Sequence, residues 1–232
     1  APFIHYIATK QRPIILSTGM ATIEEIHEAL AFISYGLAKS NEPVTIERVN
    51  QFYVTEEAKA VLKKYVTLLH CTTQYPAPMD SINLKAMIEM GRIFQLPIGL
   101  SDHSEGITIP LVAVGIGATV IEKHFTLDKT LEGPDHIASL NPDELMAMIK
   151  GIREVEQALG DGIKKPTSIE LQNRIPARKS LVAKKNIQAG EVFSISNLTV
   201  KRPGDGLQPS NYWSLIGKMA SKSYEEDELI DE

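Results

Sequence analysis

Short apolar runs alternate with longer segments of helical spacing along the first 160 residues, and this rhythm limits the chain to a few architectures. The runs are Ile14 to Ser17, Val66 to His70, Leu96 to Leu100 and Ala118 to Ile121, each 4 to 5 residues long. Their length and composition suit parallel strands buried on both faces. Between them the apolar positions recur at three- and four-residue intervals. Thr22-Ile23-Glu24-Glu25 is a Thr-x-x-Glu capping box ahead of Ile26, Leu30, Ile33 and Leu37, so a helix starts there. Leu84, Met87, Ile88 and Phe94 mark another helix, and Gly106 to Gly117 has helical rather than alternating spacing. Asn141-Pro142-Asp143-Glu144 supplies an N-cap, a first-turn Pro and a capping Glu before Leu145, Met148, Ile149, Ile152, Val155 and Leu159, and Gly160 closes that helix. The segment from Asn41 to Lys64 adds further helix.

Strand and helix alternation permits an open doubly wound sheet or a (β/α)8 barrel. The polar residues favour the barrel, because candidates fall at every strand's carboxyl end: Ser17-Thr18-Gly19, Thr73 and Tyr75, Ser101 and His103, Glu122 and His124. A complete barrel has eight strands in about 250 residues. The expected class is therefore α/β, the C-terminal half of a TIM barrel over residues 1–160. The chain opens on Ala1, and Phe3 to Ala8 has the character of an earlier helix's tail, so it reads as N-terminally truncated. Residues 161–177 carry Lys164, Lys165, Pro166 and Pro176 with little periodicity, which suits a linker. Residues 178–232 then read as a small β-rich module with a thin core, its strand-like pieces Ser180 to Ala183 and Leu198 to Val200 separated by turns.

Alternation along a strand puts Ser101 and His103 on one side and Glu122 and His124 on one side, with Asp102 and Lys123 turned away. Two imidazoles then converge at neighbouring strand ends. A divalent cation is the simplest guest for two neutral imidazoles and a carboxylate, with positions left open for water or substrate. The alternative is that each His hydrogen-bonds a loop. Arg202 opens a Gly-rich turn that could present its guanidinium to a polar ligand, or it is a surface Arg beside a structural turn. With 24 basic and 29 acidic residues, the net charge of -5 gives no reason to expect nucleic-acid binding. No apolar run approaches the roughly 18 residues of a membrane span. A lone Cys71 excludes an internal disulfide, and no signal peptide is visible, so a soluble cytoplasmic protein is expected. The acidic run Glu225 to Glu232 reads as simply solvated, with a recruiting tail as the alternative.

Six segments, Leu16 to Met20, Cys71 to Pro76, Gly99 to His103, Ile121 to Thr126, Gly133 to His136 and Lys201 to Gly206, resemble the sialic acid synthase family, in order and across the whole chain. The C-terminal module resembles that family's antifreeze-like (SAF) domain. The resemblance implies a condensation of phosphoenolpyruvate with an N-acetylated amino sugar, with N-acetylmannosamine giving N-acetylneuraminate and phosphate as the favoured case. A legionaminate or pseudaminate synthase acting on a deoxygenated diacetamido sugar is the alternative, and so is an inactive fragment that only binds or dimerises. A metal-dependent aldolase would leave the SAF-like module unexplained. By the same resemblance His103 and His124 match ligands of Mn²⁺ or Mg²⁺, and Glu122 matches the catalytic acidic residue beside them. Ser17, Thr73, Tyr75 and Ser101 fall at phosphoenolpyruvate contacts, although the family often carries Asn where this sequence has Thr73. Asp135 matches a residue that binds sugar hydroxyls. Arg202 matches an arginine that reaches the sugar's N-acetyl end from the partner subunit of a domain-swapped homodimer.

Overall fold

An isolated apolar strand leaves its backbone amides and carbonyls unpaired, and the four runs resolve this by lying side by side. In the computed structural model, which describes residues 1–231, they form β1 (Ile14–Ser17), β2 (Val66–Cys71), β3 (Ile98–Asp102) and β4 (Val120–Lys123). The sheet is parallel throughout, in the order β1-β2-β3-β4. Parallel neighbours require crossovers, and helices supply them. The first helix, α1 (Pro2–Ala8), precedes β1 and packs on α2 (Ile23–Ala38). Two further helices, α3 (Ile46–Tyr53) and α4 (Glu56–Tyr65), precede β2, and α5 (Leu84–Phe94) leads to β3. Then α6 (Thr108–Gly115) leads to β4, and α7 (Pro142–Leu159) follows it. This curled half-barrel of four strand and helix pairs is the expected α/β class.

The capping boxes set where the helices begin. The Thr22 hydroxyl accepts from the Glu25 amide while the Glu25 carboxylate accepts from the Thr22 amide at 2.7 Å. Asn141 and Glu144 do the same at the start of α7. From that start α2 buries Ile26, Leu30, Ile33 and Leu37 against Val66 and Leu68 of the sheet and Met90 of α5. Each such side chain contributes about 1.5–3 kcal/mol when fully buried. A second cluster joins Met87, Leu100, Ala113 and Ala118 across α5, β3 and α6. β3 and β4 approach closely because residue 99 is glycine. A Cβ there would lie 2.3 Å from the Val120 carbonyl oxygen and 2.6 Å from Leu69 Cδ2.

The chain divides into two compact units, Ala1–Asp161 and Gly162–Glu232. Within the stretch read as a linker, residues 168–177 form a helix, α8 (Ser168–Ala177). Thr167 caps it and Glu170 reaches back to the Thr167 amide, a capping box that outweighs the surrounding lysines and prolines. The second unit is built on an antiparallel pair, β5 (Ser180–Ala183) and β6 (Leu198–Lys201), with a short helix α9 (Tyr212–Leu215). Leu181, Ile187, Phe193, Leu198, Leu215, Tyr224 and Ile230 make its core. The acidic run is not simply solvated. Glu225, Glu226, Asp227 and Glu228 are exposed, but the Ile230 amide donates to the Leu181 carbonyl, the Ala183 amide donates to the Glu228 carbonyl, and Ile230 is wholly buried. Glu232, the last residue of that run, lies outside the described residues. Among the described residues no helix is long and apolar enough to cross a membrane.

Candidate active site

Strand register brings the polar residues at the ends of β3 and β4 together. Ser101 pairs with Glu122 and Asp102 with Lys123 across the parallel ladder. On one face the Ser101 hydroxyl donates to Glu122 Oε1 at 2.7 Å. On the other, Lys123 Nζ lies 2.7 Å from Asp102 Oδ2, with only 3% and 1% of the two side chains exposed. Lys123 also donates to the Ser104 carbonyl, and Asp102 accepts from the Ser104 amide and hydroxyl, each at 3.0 Å. This buried network ties the two strand ends to each other and to the turn after His103.

Just beyond the strands the His103 and His124 rings stand 5.2 Å apart, edge to face, and Tyr75 packs against both at 4.0 and 5.4 Å between centroids. His103 Nδ1 lies 2.7 Å from the Thr72 carbonyl. A carbonyl only accepts, so Nδ1 carries the proton and Nε2 keeps a lone pair. That is the tautomer a metal ligand needs, fixed by a backbone partner. His124 Nδ1 is 3.9 Å from Asp135 Oδ2, beyond hydrogen-bond range. A cavity of about 260 Å³ is lined by Ser101, His103, Glu122, Lys123 and His124. A larger one of about 590 Å³ lies among the helices, lined by His27, Tyr53 and Phe94 among others, away from these carboxylates.

Mn²⁺ and Mg²⁺ favour oxygen donors, so the two imidazoles would supply only part of a ligand set for either ion. The expected grouping with a carboxylate is not formed: among the described residues no three His, Cys, Asp or Glu side chains are arranged to hold an ion. Glu122 is instead engaged by Ser101, so water and substrate would complete the coordination. Partial burial raises the Tyr75 phenol above its ordinary value, and the negative potential of Cys71, Asp135 and Glu122 adds to this. Tyr75 is therefore a neutral hydrogen-bond donor at neutral pH.

The other predicted residues are spread more widely. Ser17 ends β1 and is exposed, in register with Leu69. Thr73 is exposed in the loop after β2, where its methyl group faces Gly19. Arg202 belongs to the second unit, and its Nε donates to the Ala177 carbonyl at 3.0 Å. Sequence reasoning missed two contributors: the Thr72 carbonyl that orients His103, and the Asp102–Lys123 pair. The first leaves no side-chain signal. The second was readable, since residues turned the same way on adjacent strands in register must meet or be exposed.

The NeuB family profile matches residues 1–164, and the SAF domain profile matches residues 178–232. The chain belongs to the NeuB family. It is 48% identical over 231 residues to the N,N'-diacetyllegionaminic acid synthase of Campylobacter jejuni, covering 100% of this chain and 62% of that protein. It is 40% identical over 220 residues to the protein of the same name from Legionella pneumophila, covering 95% of this chain and 56% of that one. The crystal structure of the spore coat polysaccharide biosynthesis protein SpsE from Bacillus subtilis superposes with a TM-score of 0.54 at 35% identity, over 99% of this chain and 62% of that one. The chain thus spans 56% to 62% of the length of these relatives.

Proposed function

We propose that this chain carries the metal-binding half of a synthase that condenses phosphoenolpyruvate with a deoxygenated diacetamido sugar to give N,N'-diacetyllegionaminate and phosphate. The observation that carries the reading is the pairing of Ser101 with Glu122 beneath two facing imidazoles at the ends of β3 and β4. The two legionaminic acid synthases support the diacetamido sugar over N-acetylmannosamine, the substrate favoured on sequence resemblance.

In this reaction C3 of phosphoenolpyruvate forms a bond to the sugar's aldehyde carbon, and positive charge develops at C2. Water adds at C2 and loses a proton, and phosphate then departs with cleavage of its C–O bond. Held by His103 and His124, Mn²⁺ or Mg²⁺ would supply Lewis-acid polarisation of the aldehyde. Glu122 has one oxygen occupied by Ser101. Its other oxygen is positioned to stabilise the cationic carbon or take the proton of the incoming water. Ser101 keeps that carboxylate in one rotamer, and the neutral Tyr75 phenol donates to substrate oxygens. Ser17 and Thr73 bind phosphoenolpyruvate, Asp135 takes sugar hydroxyls, and Arg202 reaches the acetamido end from the second unit of another copy. The test is phosphate release from phosphoenolpyruvate with Mn²⁺, by a protein that carries this chain at the length of its relatives. Release with the diacetamido sugar, abolished in Glu122→Gln, is expected. Release with N-acetylmannosamine alone would overturn the substrate, and release with neither would overturn the synthase reading.

A further inference from the structure

The second unit holds a cluster of cations that the proposed condensation does not use. Arg174 in the last turn of α8, and Arg178 and Lys179 just after it, line a cavity of about 320 Å³ together with Gly204, Gln208, Pro209 and Ser210. Among the described residues, no acidic residue lines it. All three basic residues are exposed, and among the described residues none has a side-chain hydrogen bond or an ion-pair partner. Cations often collect at a helix C-terminus because the dipole favours them there. Here, however, the last carbonyls are already taken. The Ile175 carbonyl accepts from the Gly204 amide at 2.7 Å, the Ala177 carbonyl from Arg202 Nε, and the Arg174 carbonyl from the Arg178 amide. The three charged heads have no carboxylate partner among the described residues, and a bound anion would supply the missing counter-charge.

The cavity also depends on a close approach that only glycine allows. A Cβ on Gly204 would lie 2.5 Å from Arg178 Cβ, so only glycine lets the 202–206 turn seat against the Arg178 backbone, and Gln208 and Ser210 line the same cavity. Two guanidinium forks, an ammonium and two neutral donors match an oxyanion with several acceptor oxygens and more than one charge. We propose that this cavity is a binding site for a phosphate group, either as free inorganic phosphate or as part of a small phosphorylated metabolite. The site lies wholly within the second unit and does not depend on the condensation reading.

The test is an amide NMR titration of the full chain with inorganic phosphate, matched against sodium chloride at equal ionic strength. The indole of Trp213, the chain's single Trp, is a resolved reporter in the helix that follows Ser210. Saturable shifts confined to Arg178, Lys179, Gly204, Ser210 and Trp213 are expected. The double variant Arg174→Gln/Arg178→Gln should weaken apparent affinity by about tenfold or more, as expected for losing charge-assisted bonds. Lys150→Gln, on exposed α7 of the first unit, should leave it unchanged. Repeating the titration with a sugar phosphate separates the two sources: tighter saturation at the same residues assigns a phosphorylated metabolite, and equal saturation assigns free phosphate. Shifts that track ionic strength, fail to saturate, or persist in the double variant would overturn the site.

Discussion

Replacing Lys123 with Met tests whether the pair beneath the candidate site is what holds the two strand ends. The side chains of Lys123 and Asp102 are 3% and 1% exposed, so the variant strands a carboxylate without its counter-charge in the interior. Breaking a buried pair from one side costs about 3–5 kcal/mol. Asp102 keeps two hydrogen bonds from Ser104, which places the expected loss near the lower end, about 3 kcal/mol. With a urea m-value of about 2 kcal/mol/M, the midpoint should fall by about 1.5 M. The assay is urea unfolding followed by far-UV ellipticity, which is dominated by the helices of the first unit. Trp213 fluorescence gives a separate signal from the second unit. Adding Asp102→Asn to Lys123→Met removes the stranded charge and should recover about 1–2 kcal/mol, a coupling that independent sites do not show. Equal midpoints for Lys123→Met and the wild type, or strictly additive losses in the double variant, would show that the Asp102–Lys123 pair does not hold the strand ends.

Gly99→Ala should destabilise the first unit by about 1–3 kcal/mol or more in the same assay, because its methyl would meet the Val120 carbonyl oxygen at 2.3 Å; an unchanged midpoint would contradict the packing. Glu144 is held below the ordinary glutamate value by Lys129 and the Asn141 amide, so its folded pKa is depressed and its stabilisation is present above pH 4.5. Glu144→Gln should therefore cost about 1 kcal/mol at neutral pH, with the gap to wild type closing as pH falls below that value, read by thermal melts across the range. The Tyr75 phenol should titrate above 10.0 in an NMR pH series and move down only slightly in Asp135→Asn, since partial burial is the larger cause; titration at or below 10.0 would contradict its placement.

Much of the half-barrel was legible because period and punctuation are local. Ile26, Leu30, Ile33 and Leu37 announce one helix face, Thr22 and Glu25 announce its start, and both appear where the spacing puts them. The convergence of His103 with His124 was legible as well, since strand parity requires it once β3 and β4 are neighbours. What escaped was non-local or carried by backbone. The tautomer of His103 depends on a carbonyl 31 residues away, at Thr72, and carbonyls leave no trace in composition. Residues 168–177 lacked a strong apolar face, and no residue of α8 is buried, so only the Thr167 and Glu170 capping box marked the helix. In the acidic run, Leu229 and Ile230 were the sign that backbone pairing with β5 would outweigh the solvation of the flanking carboxylates.

Binding of Mn²⁺ to the chain itself tests most directly whether the strand ends of β3 and β4 form the metal-supported site. Electron paramagnetic resonance of free Mn²⁺ should show depletion by the wild-type chain. Both His103→Ala and His124→Ala should weaken that binding by at least about tenfold, while ellipticity is retained. Equal depletion by all three proteins would contradict a metal site at His103 and His124.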